Sequence, residues 1–170
     1  MGMKCVVYTD FNASTATIVD GLKAKGWNVV IIDGKTRTEN RYRNIQLFNE
    51  DKDTHVIVCK KSIAACSINL HCKKTLEEGG EVRSMHMIPS FDSTLMLQSL
   101  ERVDRAERAT EVHINVWWIQ SQIEVMRVVE DNLMKSLVEK VEVIKRVSLL
   151  KEFGIDRDFF TDYPEHYVEA

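Results

Sequence analysis

Three short apolar runs, KCVVY at 4 to 8, NVVII at 28 to 32 and THVIVC at 54 to 59, constrain the fold more than any other feature of the chain. Each is rich in β-branched residues and apolar throughout rather than at alternate positions, the pattern of a strand buried on both faces. The segments between them have helical spacing. Ile18, Val19 and Leu22 share one face of a helix that Asn12 or Ser14 is placed to cap and that Gly26 stops. Thr38, with Asn40, Ile45, Leu47 and Phe48, opens and lines a second helix, ended by the polar NEDKD. Strand, helix, strand, helix, strand with runs of this kind predicts a parallel sheet covered by helices on both faces.

Residues 60–70 are mostly small and suit a tight loop and a short helix, and HCKKTLEEGGEV forms a polar insertion around Gly79 and Gly80. MHMI at 85 to 88 reads as a fourth strand, Ser93 to Arg108 as a helix capped by Asp92 or Ser93, and VHINVWWI at 112 to 119 as a last strand. From Gln122 to Phe153 the apolar residues Ile123, Met126, Val129, Leu133, Leu137, Val141, Ile144 and Leu149 mark a long charged helix. Gly154 ends it, before the tail FFTDYPEHYVEA. The expected organisation is a core over 4–120, with the helix and tail of 121–170 packing on it.

A length of 170 residues suits one domain that needs neither disulfide nor metal. With 29% charged residues and a net charge of -3, any basic surface is local. The cysteines at 5, 59, 66 and 72 form no CxxC pair, as expected of reduced thiols in an intracellular protein. Cys66, His71 and Cys72 lack the second ligand pair of a structural zinc site, so no metal ligand is assigned. No signal-peptide layout and no apolar segment near the roughly 20 residues of a membrane span is seen, so no membrane partner is expected. His55, His71, His86, His113 and His166 form no triad with a nucleophile that the sequence can justify.

VVIIDGKT at 29 to 36 ends like a phosphate-binding loop. Such a loop needs GxxxxGK[ST], and counting back five residues from Gly34 reaches Val29, with Val30, Ile31, Ile32 and Asp33 between. Three strand formers and an acid cannot wrap a phosphate, so this reading is rejected. QSLERVDRAER at 98 to 108 carries more. Gln98, Arg102 and Arg105 stand at i, i+4 and i+7, one face of a helix, which fits either a solvated surface or a shared ligand. In open parallel sheets, ligands sit off the carboxyl ends of the strands.

Here the chain resembles the second RecA-like domain of superfamily 2 helicases, and within it the Snf-type double-stranded DNA translocases. Gln98, Arg102 and Arg105 match the QxxxRxxR of their sixth motif, and DRAER at 104 to 108 resembles its ending. YTDF at 8 to 11 looks like the fourth motif, and DGKT with Arg41 is similar to the family's Asp-Gly turn and the helix arginine beyond it. Lys61 to Leu70 occupies the fifth motif, and PSFD at 89 to 92 is similar to the segment before the sixth. There are departures. Lys61, Ala64, Ala65 and Ser67 stand where the family has a threonine and glycines, only Asn69 and Leu70 being retained, and Glu101 precedes Arg102 where glycine or aspartate is usual. Fewer glycines limit backbone approach to a ligand.

The resemblance implies a RecA-like fold and the role of a second motor lobe in an ATP-dependent DNA helicase or translocase. Arg105, with Arg102 beside it, would be the arginine finger, Gln98 would orient it and Asn69 would touch the nucleotide. The ATP and magnesium would be held mainly by a first RecA-like lobe elsewhere in the protein, because this chain lacks both a P-loop and a strand-borne Asp-Glu pair. The chain alone is expected to hydrolyse ATP negligibly. Thr9, Lys35, Thr36, Arg37, Arg41, Lys60 and Lys61 fall at strand ends or helix starts, where cations and helix N–H groups suit a nucleic-acid backbone, DNA first with RNA not excluded. The alternative is a catalytically inactive RecA-like module that binds nucleic acid or protein. Trp117 and Trp118 read better as packing than as base-stacking residues, and Lys135, Lys140, Lys145 and Arg146 of the long helix are secondary candidates for a partner contact.

Overall fold

The computed structural model describes residues 3–64, 68–88, 90, 92–116 and 124–147. The chain divides into two compact units, Met1–Gln120 and Ser121–Ala170. The first contains, in order, β1 (Met3–Thr9), α1 (Asn12–Ala24), β2 (Val29–Ile32), α2 (Thr38–Glu50), β3 (Val56–Lys60), α3 (Lys61–Ala64), β4 (Val82–Met87), α4 (Ser93–Val103) and β5 (Val112–Val116). The second contains one helix, α5 (Glu124–Val147). Among the described residues no helix is long and apolar enough to cross a membrane.

The five strands form one sheet in the order β2-β3-β1-β4-β5, every neighbouring pair parallel. Alternation along β1 sends its side chains to opposite faces. On one face Cys5 and Val7 join Val29, Ile31, Val56 and Val58 under Ile18, Val19 and Leu22 of α1. On the other, Lys4 meets Phe48 of α2, whose ring is fully buried. The expected covering of both faces is therefore present. Phe48 lies between two cations, Lys4 Nζ 5.8 Å and Arg83 Cζ 4.8 Å from its ring centre.

Element ends differ from the sequence expectation for local reasons. Neither Asn12 nor Ser14 caps α1: Phe11 takes the N-cap position in extended backbone, with no side-chain cap. Thr15 donates to the Phe11 carbonyl from both N–H and Oγ1, and Asn12 is engaged by Lys60 instead. Gly26 ends α1 as expected, at φ 81 with its N–H on the Lys23 carbonyl. β3 starts at Val56 because Thr54 closes the preceding turn through a 2.5 Å bond from Oγ1 to Asp51 Oδ2. β4 starts at Val82, three residues before the expected Met85, because Arg83 is an inward-facing strand residue that reads as a surface one. Asp92 caps α4 by accepting from the Leu95 N–H at 2.9 Å, but the helix stops at Val103 rather than Arg108. The insertion before β4 is a compact turn in which the backbone packs so closely that a Cβ on Gly80 would lie 2.0 Å from the Lys74 carbonyl oxygen.

β5 is described to Val116, so Trp117 and Trp118 lie outside the described residues, as do residues 148–153, Gly154 and the tail with His166. Pro89 and Phe91, and Ala65, Cys66 and Ser67 of the fifth-motif segment, lie outside them too, as do the side chains of Lys145 and Arg146. Truncating Phe48 empties a fully enclosed site and strips both cations of their ring. Phe48→Ala is expected to lower the unfolding free energy by about 3–5 kcal/mol in urea titration.

Candidate functional site

The candidate residues fall into two places, at opposite ends of the sheet. The first is the carboxyl end. The connection from β1 leads toward β2 at one edge, while that from β4 leads toward β5 at the other, so the crevice of the sheet opens beyond Thr9 and Met87. Lys61, the first residue after β3, fills it. Its Nζ pairs with Asp10 Oδ2 at 2.8 Å and donates to the Ile88 carbonyl at 2.5 Å, joining the ends of β3, β1 and β4. Burial pulls its ammonium below the usual lysine range, and Asp10 opposes that. Thr9 is also buried, its Oγ1 2.7 Å from Thr15 Oγ1 and 3.4 Å from the Cys59 carbonyl oxygen it donates to. Neither Lys61 nor Thr9 offers a surface to a phosphate in this structure, a correction to the sequence reading. Both are engaged within the fold, Lys61 by Asp10 and Ile88 and Thr9 by Thr15 and Cys59.

The Asp-Gly turn after β2 is organised by its own acid. Asp33 Oδ1 accepts from the Lys35 N–H at 3.0 Å, the Thr36 N–H at 2.9 Å and Thr36 Oγ1 at 2.7 Å. Burial works against the charge, but the bonds from Thr36 and Lys35 outweigh it and hold the carboxyl below its ordinary range. Arg41 donates from Nε to the Thr36 carbonyl at 2.9 Å and so braces the turn. Lys35 and Arg37 are exposed. Lys60 is half-buried, with Nζ 3.1 Å from Asn12 Oδ1. Beside the turn runs an open groove of about 560 Å³ whose lining includes Val29, Ile31, Lys35, Thr36, Arg43 and Leu47. Arg43, which the sequence reading missed, stands four residues from Glu39 on α2 and gave no motif signal.

The second place lies toward the amino ends of β4 and β5. Thr110 Oγ1 donates to the Glu81 carbonyl at 2.9 Å and the Arg83 N–H to the Glu111 carbonyl at 3.1 Å, so the chain leaving α4 returns to the start of β4. Arg102 and Arg105 flank that return. The expectation that they sit off the carboxyl ends of the strands is corrected, since a crossover helix runs back along the sheet. The single helical face is corrected as well, because Arg105 lies beyond the end of α4 and only Gln98 and Arg102 are on it. Asp104 takes the C-cap position and pairs with Arg108, and Arg105 folds back to donate from Nε to the Glu101 carbonyl at 3.1 Å.

Asn69 and Arg102, assigned to different motifs, are brought together. The Leu70 N–H donates to the Arg102 carbonyl at 2.9 Å, and the Ala109 N–H to the Cys72 carbonyl at 2.8 Å. Asn69 itself is exposed, and its carbonyl accepts from Asn49 Nδ2 at 3.2 Å. Two buried polar groups that sequence reasoning did not assign feel the charge of the arginines. The Tyr8 phenol is 1% exposed; burial pushes its pKa well up, Cys59 adds to that and Arg102 opposes it. The His71 ring is 3% exposed, and burial followed by Arg105 and Lys73 holds it below the usual histidine range. Neither the Tyr8 hydroxyl nor either His71 nitrogen has a hydrogen-bond partner among the described residues. The signal for both was their place, Tyr8 in YTDF and His71 directly after Asn69-Leu70. Among the described residues no group of His, Cys, Asp or Glu gathers as a metal site.

No protein-family model matches this sequence, and no curated protein matches it. Solved structures do. The C-terminal part of the Fun30 ATPase domain is similar with a TM-score of 0.64 at 19% identity, over 79% of this chain and 39% of that one. The C-terminal domain of the DEAD-box protein Dbp5 is similar with a TM-score of 0.58 at 16% identity, over 81% of this chain and 69% of that one. At such identities the likeness shows the fold: a RecA-like parallel α/β sheet of the kind found in those C-terminal domains.

Burial lowers the pKa of both His71 and His86 from 6.5, so both rings stay neutral in the fold where the unfolded chain takes up protons. Their contribution to stability is complete above about pH 6.5 and is lost as the pH falls below it. Unfolding free energy measured in urea is expected to decline between about pH 6.5 and 5, before the ordinary carboxylate range, and more gently in His71→Gln.

Proposed function

We propose that this chain is the second lobe of an ATP-dependent nucleic-acid motor, acting on ATP and magnesium held by a first RecA-like lobe elsewhere in the protein. The observation that carries this reading is the bond between the Leu70 N–H and the Arg102 carbonyl, which joins the segment that carries Asn69 to the end of the helix that carries Arg102. Phosphoryl transfer spreads negative charge over the transferred oxygens, and a guanidinium placed across a cleft stabilises it. Arg105 is the proposed finger, half-buried with its Nε held by the Glu101 carbonyl. Arg102 adds charge beside it, Gln98 orients the pair and Asn69 contacts the nucleotide.

The nucleic acid is proposed for the other end of the domain. Lys35, Arg37 and Arg43 are exposed cations there, with Lys60 and Arg41 partly accessible. The first turns of α1 and α2 lack side-chain caps, which leaves N–H groups to add to phosphate contacts. Duplex DNA is the proposed class, on the resemblance of the sixth motif to the Snf-type translocases. The similar chains are C-terminal parts of an ATPase and of a DEAD-box protein, which supports the motor reading at the level of the fold. One observation favours the alternative of an inactive binding module. Lys61 closes the crevice where the family has a threonine and a glycine-rich loop.

Two measurements separate these readings. In the protein carrying both lobes, Arg105→Ala is expected to reduce nucleic-acid-stimulated ATP hydrolysis by about a thousandfold, whereas a rate within a few fold of wild type contradicts the motor. In the chain alone, a Lys35→Ala, Arg37→Ala double variant is expected to weaken duplex binding. The slope of log affinity against log salt should become shallower by about 0.9 for each phosphate contact removed. An unchanged slope removes the proposed interface, and parallel RNA titrations decide the nucleic-acid class.

A further inference from the structure

Arg83 belongs to none of the matched motifs, yet among the described residues it is the largest fully buried side chain, 1% exposed on a strand paired on both sides. Its guanidinium works in several directions. Nε donates to the Leu70 carbonyl at 3.1 Å, Nη2 to Asn49 Oδ1 at 3.2 Å, Nη1 stands 4.0 Å from Glu81 Oε2, and Cζ lies 4.8 Å from the Phe48 ring centre. Asn49 completes a loop by donating to the Asn69 carbonyl. Both peptide groups of Leu70 are therefore fixed, its carbonyl by β4 through Arg83 and its N–H by the end of α4 through Arg102.

An apolar residue of similar volume would fill this position without the cost of burying a charge, and such replacements are often neutral or stabilising. It could not hold the Leu70 carbonyl. We propose that Arg83 is a positioning residue that fixes the Asn69-Leu70 segment against the end of α4, and so sets where Asn69, Arg102 and Arg105 stand relative to a nucleotide. The inference rests on the motor reading above and extends it to a residue outside the motifs. The geometry needs an arginine. A rigid planar fork donates from two separate nitrogens at once, Nε to Leu70 and Nη2 to Asn49, whereas the donors of a lysine share one nitrogen.

Lys4 supplies the control. It shares the Phe48 ring and the Glu81 carboxylate with Arg83 but makes no bond to residues 69–70, its Nζ being taken by the Phe48 and Asp51 carbonyls. In the two-lobed protein, well below its melting temperature, Arg83→Lys is expected to lower kcat of nucleic-acid-stimulated ATP hydrolysis by about ten- to a hundredfold. KM for ATP should change much less, since misplaced transition-state contacts act on kcat. Lys4→Met should lose stability yet keep wild-type kcat. In the chain alone, amide exchange at Leu70 should quicken in Arg83→Lys while the amides of β1 and β3 keep their protection. Should Arg83→Lys fail to fold, Asn49→Ala, which removes one arm of the fork and the bond to Asn69, must show the same kcat effect in smaller measure. If Arg105→Ala abolishes hydrolysis while Arg83→Lys and Asn49→Ala turn over normally, positioning by Arg83 is wrong and the motor reading stands. If Arg105→Ala is itself active, both fall together.

Discussion

Two cations buried against one phenyl ring are the constraint on which this fold depends. Lys4 and Arg83 are each 1% exposed, and one carboxylate, Glu81, lies near both. Burying such charge is tolerable only with acceptors close by, and here Arg83 Nη1 has no hydrogen-bond partner among the described residues and relies on Glu81 at 4.0 Å. Lys4 spends its protons on the Phe48 and Asp51 carbonyls, both at 2.7 Å, and on Glu81 at 3.1 Å. The Phe48 carbonyl lies in the last turn of α2 and Asp51, whose carbonyl also accepts from the Thr54 N–H, is its C-cap, so the ammonium also caps the negative end of the helix. Arg83 turns instead to Leu70 and Asn49. Strand β1, strand β4, helix α2 and the segment at 69–70 are thereby tied to one ring.

The consequence is a domain with two working ends. At the carboxyl end of the sheet, Lys61 closes the crevice that an open α/β fold usually gives to a ligand, and exposed charge is displaced outward to Lys35 and Arg37. At the amino end, backbone bonds tie Leu70 and Cys72 to the chain that leaves α4 for β5, at Arg102 and Ala109. On the proposed reading the first end meets nucleic acid and the second meets a nucleotide. β1 spans both, with Lys4 at one extreme and Thr9 at the other.

The fold was legible because its determinants are local. The runs KCVVY, NVVII and THVIVC announce buried parallel strands through composition alone, and Gly26 and Asp92 punctuate helices by chemistry that acts within a few residues. What the sequence concealed is set by distant partners. Arg83 reads as a surface charge until Leu70, Asn49 and Phe48 are seen around it, and so β4 was expected to begin three residues late. Lys61 and Thr9 read as accessible cation and hydroxyl until Asp10, Ile88 and Thr15 take them. The QxxxRxxR spacing suggested one helix face, but Asp104 ends α4 between the two arginines, so Arg105 arrives by a backward bond to Glu101 rather than by helical periodicity. The meeting of the Asn69-Leu70 segment with the end of α4 was hidden too, because the backbone bond that makes it, from Leu70 N–H to the Arg102 carbonyl, has no side-chain signature.

The central claim is that the Arg105 guanidinium meets the terminal phosphate of a nucleotide held by another lobe. Its rate of modification by phenylglyoxal, read by mass spectrometry in the two-lobed protein with nucleic acid present, tests this directly. The account predicts strong protection of Arg105 by a nonhydrolysable triphosphate and little by the diphosphate, while Arg37 responds to nucleic acid instead. Equal modification of Arg105 with either nucleotide would contradict it.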